Sequence, residues 1–540
     1  MIRYTPAAER KLSLFKTPFE QQLSPDNRWV RMADLVPWDD LARIVARSMD
    51  EQQGRPSVDL RTVLGVLLVK HIEDLSDRRA IEYVQENIYA QYFVGLSSFQ
   101  TEPVFVAHLL VTIRQRLGQQ NSERLNEVLL DHARRIGAIK HRQHPSDQRP
   151  PTDTDQHPDC EGVELWDDTD QSVIPPRNRG GLMLDATVHP MNIAYPTDTR
   201  LLHEARQWSE TLLDALFGVH PDLWKRKPRT YRRVARKQYM AFSKKRKTTK
   251  KENRRAVKGQ LQYLRRNLKT LHTMLDRLDA QERLCPWTAR QWRHFWIIQE
   301  LYRQQDEMYR DRRRRVDNRI VSIEQPHVRP IKRGKGGTKN TEFGPKVNLS
   351  LTEGLLRADQ IEFDNFSEST KLIEQVEGYK RLYGYYPARV LADKIYWTRE
   401  NRKWLKTRKI DIGGVPMGRK KEQTKYQREK ERKKNNARSQ VEGAFGNAKT
   451  RYGMERIKTK RSDTTRASIN LSILAINLVR MSQKMWAICL ILILAAVNGL
   501  ILAAHRVVEQ VRGPIRTQLI LTIGNQGRHP VAKAQNQWAF

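Results

Sequence analysis

Three acids stand where a strand or a helix would present them: Asp185 in LMLDAT, Asp393 in RVLADK and Glu442 in ARSQVEGAFGNAK. The first two follow apolar runs of the kind that fill a buried strand, so each carboxylate falls at a sheet edge. Desolvation there is costly unless a cation is close by. A divalent metal supplies one, and magnesium combines a few carboxylates with waters and phosphate oxygens, so three acids from three elements suit two shared ions. Any one of these acids alone is more simply a capping or salt-bridged carboxylate; the reading rests on the set.

Arg438, Glu442 and Lys449 are spaced by four and seven residues, which places them on one helical face. That face offers an anion for metal and two cations for phosphates, as phosphoryl transfer requires for positioning and charge stabilisation. Gly443 and Gly446 weaken the helix there and leave room for DNA, or simply for fraying. Lys332, Arg333 and Lys335 lie in a glycine-rich stretch, RPIKRGKGGTKNTEFGPK, whose amides and cations can approach a phosphodiester. An ordinary surface loop has the same composition.

The whole chain carries 98 Lys and Arg against 61 Asp and Glu, a formal net charge of +37 over 540 residues. A polyanionic partner is implied, with nucleic acid ahead of an anionic membrane surface. Cys160, Cys285 and Cys489 lie far apart, so no disulfide framework or CxxC site is read, and a reducing cytosol fits. His157 near Cys160 lacks a second ligand pair and is not taken as a zinc site. The first 25 residues lack an apolar run suited to export.

The elements that must hold these residues follow from periodicity. Residues 1–140 read as an all-α N-terminal domain, in which Ser76-Asp77 opens a helix. The turn before it allows a helix-turn-helix with Arg78, Arg79, Gln85 and Asn87 toward DNA; plain helical packing is the alternative. Residues 141–180 read as a Pro- and Asp-rich linker, and 181–484 as a mixed α/β core. Strands are predicted at GLMLDAT, HPMNIAYPTD, VNLSLT, LRADQIEFD and ARVLADK. A basic helical hairpin interrupts this core over about 200–325; its heptad leucines from Leu261 to Leu278 serve either the hairpin itself or a dimer contact. Residues 485–540 form an apolar tail; 485–504 hold no charge and reach bilayer-spanning length. The favoured reading of that stretch is a buried or oligomer-facing helix, because it extends the periodicity of Ile469, Ile473 and Ile476.

These segments resemble bacterial insertion-sequence transposases of the InsH type, the IS-five group. The residues from Asn27 to Val45 and from Arg55 to Leu96 look like that group's N-terminal domain, while LDATVHPMNIAYPTD and LADKIYWTRENRKWLK resemble its first two acid segments. RSQVEGAFGNAK carries the Arg, Glu and Lys spacing of the third; Asn435 stands where related proteins have Tyr.

The resemblance implies a ribonuclease-H-like catalytic domain with a helical insertion. It further implies that Asp185, Asp393 and Glu442 are catalytic metal ligands for two Mg²⁺ ions, with Mn²⁺ able to substitute. Arg438 and Lys449 become phosphate contacts, and Lys332, Arg333, Lys335, Arg78 and Arg79 further DNA contacts. The expected partners are double-stranded DNA, as terminal repeats and target, and a second copy of the chain in a synaptic dimer. The expected location is the cytoplasm, at the nucleoid. The rivals are a metal-dependent nuclease that never joins, a catalytically degenerate DNA-binding copy, and a membrane-anchored basic protein.

Overall fold

A computed structural model describes residues 23–49, 58–139, 178–224, 226–332, 341–413 and 446–523, together with residues 6 and 443; side chains are described as far as 498. The expected linker falls almost wholly outside the described residues. So do Glu442, Arg438, Asn435, Arg333, Lys335, His157 and Cys160. Two compact units divide the chain, Met1–Arg480 and Met481–Phe540.

The N-terminal helices start where short polar side chains can accept the first free amides. Asn27 caps α1 (Arg28–Leu35), Asp59 caps α3 (Leu60–Ile72), Ser76 caps α4 (Asp77–Glu86) and Asn87 caps α5 (Ile88–Phe93). Between these lies α2 (Trp38–Ala46), and after them α6 (His108–Arg135), kinked where Gly118 takes φ 56°. Helix α3 is the hub: every residue from Leu60 to Val69 except Arg61 is buried, and Trp29, Trp38 and Phe93 pack as ring pairs 5.1 and 5.2 Å apart in the same domain. Two residues offered above as base readers have structural uses. Gln85 donates to the Thr101 carbonyl, and Asn87 is the cap of α5.

The mixed sheet has strand order β5-β4-β1-β6-β7, with β1 (Gly181–Val188), β4 (Lys346–Thr352), β5 (Leu355–Glu362), β6 (Arg389–Leu391) and β7 (Asp411–Ile412). Central β1 runs antiparallel to β4 and parallel to β6. A separate hairpin joins β2 (Pro330–Lys332) to β3 (Thr341–Phe343). Helix α11 (Leu372–Tyr383) precedes β6, and α12 (Arg399–Thr407) joins β6 to β7. The strand predicted at 189–198 is not formed, and Met191 makes only an isolated bridge to Ile457. Pro190 and Pro196 lack the amide a ladder needs.

Between β1 and β2 the chain leaves the sheet through α7 (Asp198–Val219), α8 (Arg232–Ser243), α9 (Lys250–Asp279) and α10 (Ala289–Arg310). Capping boxes, Thr249 with Glu252 and Thr288 with Gln291, fix the starts of the two long helices. The heptad leucines are satisfied within the chain: Leu261, Leu264, Leu268 and Leu271 pack with Leu212 and Leu216 of α7 and Phe295 and Ile298 of α10. Arg233, Arg236, Lys237, Lys251, Arg255 and Lys258 are left exposed on α8 and α9.

The last helix, α13, spans Ser462–Ile523. In the first unit Ile469, Ile473 and Ile476 cover Val347, Leu349 and Leu351 of the sheet. Among the described residues of the apolar tail, Ile491 and Leu492 are each 64% exposed and Ile493 60%. Hydropathy reports what a side chain prefers, not whether a neighbour exists to cover it. By length and composition alone Ser462–Asn498 could cross a bilayer, a property shared with core helices of soluble proteins.

Asn477 on α13 binds the outer edge of the sheet. Its Oδ1 accepts from Leu356 N at 2.8 Å and its Nδ2 donates to Leu356 O at 2.7 Å, so a side-chain amide pairs with the backbone of edge strand β5. Asn477→Leu, which leaves both buried backbone groups unmatched, is expected to cost about 2–4 kcal/mol. A denaturant midpoint equal to wild type would show that this pairing adds nothing.

Candidate functional site

Asp185 lies in β1, half-buried, with its Oδ1 accepting from Ala186 N at 2.8 Å. Asp393 lies two residues past β6, exposed, and caps a short 3-10 turn, Lys394–Tyr396, by accepting from Lys394 N at 2.7 Å. The parallel pairing sets Gly181 opposite Arg389, an offset of 389 − 181 = 208 residues. The two acids are 393 − 185 = 208 residues apart. Extending the register therefore brings Asp393 level with Asp185 at the same end of adjacent strands. Alternation puts both on the sheet face that carries Met183, Leu349 and Leu391.

The helix after the third acid comes to that same face. Residues 446–451 are helical, and Ala448 is buried in the cluster that includes Met183, Leu349 and Met454. A latch holds this helix against the end of β1. Ile457 N donates to Pro190 O and Asn192 N to Ile457 O, each at 2.9 Å. His189, fully buried, binds the Met454 carbonyl through Nδ1 at 2.9 Å; a carbonyl only accepts, so Nδ1 carries the proton. Lys449 is half-buried on the helix.

The β2–β3 hairpin is moored beside the same strand end, with Met191 N donating to Phe343 O at 2.8 Å and His189 N to Pro345 O at 3.0 Å. Gly344 is required there, because a Cβ would fall on the His189 carbonyl oxygen. Lys332 is exposed on this hairpin.

The motif reading missed Tyr396, which is fully buried and donates to Asn348 Oδ1 at 3.1 Å. Burial raises its phenol pKa far above the usual range, and Glu368, Asp185, Asp359 and Asp393 raise it further. It stays protonated and is a neutral donor beside the acid pair. The donor set is hard oxygen, presented by rigid strand ends, and fits Mg²⁺ or Mn²⁺. Among the described residues no group of three metal-ligating side chains stands together, and the third acid lies outside them.

Arg78 and Arg79 are exposed on α4, where Arg79 pairs with Glu82 at 2.9 Å. The start of α4 borders a cavity of about 680 Å³ that Lys449 also lines. On its wall are Lys70, Arg114, Arg456, Lys458 and Lys460, none of which spacing alone singled out.

A family model described as a transposase DDE domain matches residues 390–479, and one described as a transposase domain (DUF772) matches 17–116. These are insertion-sequence transposase domains. They indicate an enzyme of DNA transposition, and the DDE domain implies a ribonuclease-H-like fold for the mixed sheet. The DDE match covers Asp393 and Lys449 and begins after Asp185. The uncharacterized protein ORF8 in the nfe locus of Rhizobium meliloti is 27% identical over 206 residues, 38% of this chain and 82% of that protein. No solved structure matches the chain.

Desolvation lowers the Lys70 ammonium from 10.5 to about 8; Arg114 and Lys458 push the same way, and Asp77 and Asp74 oppose. Between those values the unfolded chain holds a proton that the folded one has lost, so stability rises with pH across the window. Lys70→Met is expected to be more stable than wild type at pH 7, by about 2–3 kcal/mol. Its advantage should shrink between pH 8 and 10.5 in denaturation curves; a pH-independent difference would contradict the assignment.

Proposed function

We propose that this transposase is of the IS-five, InsH-like group, and that it binds the ends of its element and catalyses strand cleavage and then strand transfer. The observation that carries the reading is the level placement of Asp185 in β1 and Asp393 just past the adjacent parallel β6, with the Lys449 helix over the same face. Asp185, Asp393 and Glu442 would hold two Mg²⁺ ions. Bound there, the ions would supply Lewis acidity to the phosphate and make a bound water or 3′-hydroxyl more acidic.

The chain's own groups do the positioning. Asp185 is held by its strand and Asp393 by its cap, so neither has to be ordered when DNA arrives. Lys449 and Arg438 neutralise phosphates beside the cut, Lys332 approaches the backbone from the hairpin, and Arg333 and Lys335 add further DNA contacts. Arg78, Arg79 and the exposed cations of α8 and α9 extend the DNA surface. Two element ends must meet, so the working form is a dimer, acting in the cytoplasm at the nucleoid.

Purified protein with Mg²⁺, a duplex bearing the element's end and a supercoiled target tests the reading. Wild type is expected to cleave and join, while Asp185→Asn and Asp393→Asn lose both steps by at least about a thousandfold and keep DNA binding. Cleavage without joined product identifies a nuclease, and binding without either step a degenerate copy. Joining retained by Asp393→Asn would refute the site.

A further inference from the structure

The cavity beside Lys449 is built from two distant parts of the chain. Lys70, His71 and the start of α4 form one wall, with Arg114 of α6; the segment from Lys449 to Thr464 forms the other. The walls are held together closely. Gly453 takes φ 69°, and a Cβ there would come within 2.5 Å of Asp74 Oδ1. Ser472 binds His71 Nδ1 at 2.9 Å, and Asn470 donates to Ser122 Oγ at 3.0 Å.

The lining is cationic beyond its internal pairing. Asp77 is taken up by Arg114, which holds both its oxygens, and Lys70 stands 3.9 Å from it. Lys449, Arg456, Lys458 and Lys460 face these from the other wall, with Asp74 and Glu455 as the remaining acids. Two buried donors or acceptors have no partner among the described residues, His71 Nε2 and Arg114 Nε, on side chains only 4% and 5% exposed. The 10-residue helix α4 adds its amino-terminal amides at the same wall. About 680 Å³ is far more than a single ion occupies and has room for a length of strand.

We propose that this cleft seats the phosphodiester backbone of the element's DNA, gripped by Lys70 and Arg114 of the N-terminal helices on one side and by Lys449, Lys458 and Lys460 on the other. The proposal rests on the transposase reading and deepens it. The N-terminal helices complete the phosphate site next to the catalytic helix, so one DNA strand bridges end recognition and chemistry. Lys70, crowded by Arg114 and Lys458 and largely buried at the cleft wall, holds its charge more readily once a phosphate lies beside it.

The test uses the full chain without divalent metal, so that binding is read apart from cleavage. Affinity for an end-bearing duplex is measured against salt for wild type, Lys70→Met and the exposed double variant Lys458→Ala with Lys460→Ala. The double variant is expected to bind roughly tenfold or more weakly and to lose about 2 from the slope of log affinity against log salt; Lys70→Met should lose about 1. Lys70→Met must do so while unfolding later than wild type, a combination that damage to the fold would not produce.

A second arm follows acylation of the Lys70 amine by mass spectrometry. Duplex should slow it, and inorganic phosphate at equal ionic strength should not. Protection by inorganic phosphate alone would make the cleft a small-anion pocket and overturn the proposal. Unchanged affinity and slope in both variants, with a wild type that still joins DNA, would overturn the cleft and leave the transposase reading intact. A wild type that binds no DNA in either arm would overturn both.

Discussion

Everything near the acids depends on one backbone pairing, the short parallel ladder between β1 and β6. Only three residue pairs define it, Gly181 with Arg389 through Met183 with Leu391. A slip of one residue would turn Asp393 toward the opposite face and separate it from Asp185, because side chains alternate along a strand. The sheet guards against the slip from both sides. Apolar residues of β4 pack under α13, and β7 adds a further parallel pairing to β6. The Lys449 helix is brought in by separate means, the hydrogen bonds between 189–192 and 454–457.

This division explains how a helical excursion from Asp198 to Arg310 can sit between β1 and β6. The excursion has its own core of leucines and aromatic residues, so it does not draw on the sheet for burial. Its outer surface is free to carry charge, and the basic run of α8 and α9 does so at little cost to folding. Self-repulsion among those cations is what a polyanion would relieve.

Local features were readable before any fold was known. GLMLDAT and VNLSLT combine apolar residues with strand length and bounds, and the heptad leucines mark a long helix, so β1, β4 and α9 appear where the sequence predicts them. What needed the fold was long-range. Nothing local tells that Asn477 meets Leu356, that His189 meets Met454, or that Lys70 shares a wall with Lys458. Heptad leucines announce a seam without naming the partner, which here includes α7 as well as α10. At 189–198 the alternation of apolar residues outweighed two prolines in the reading, and the prolines won in the fold. The apolar run beyond Met485 reads in sequence as buried or oligomer-facing, and its side chains from Leu490 to Leu494 are exposed, so only the first of those alternatives is set aside for them.

The amide of Asn477 has a bearing on how copies of this protein can assemble. An uncovered outer strand is a template on which another chain can lay its own strand and extend the sheet from one molecule to the next. Here the backbone groups of Leu356 on β5 are already occupied, and the opposite border is β7, two residues long. A second chain that approaches the border of β5 meets an occupied pair at Leu356 and an occupied carbonyl at Ile361, and one that approaches β7 finds a border of two residues. If two copies act together as proposed, the pair at Leu356 turns a second chain away from that point of β5 and toward other surfaces.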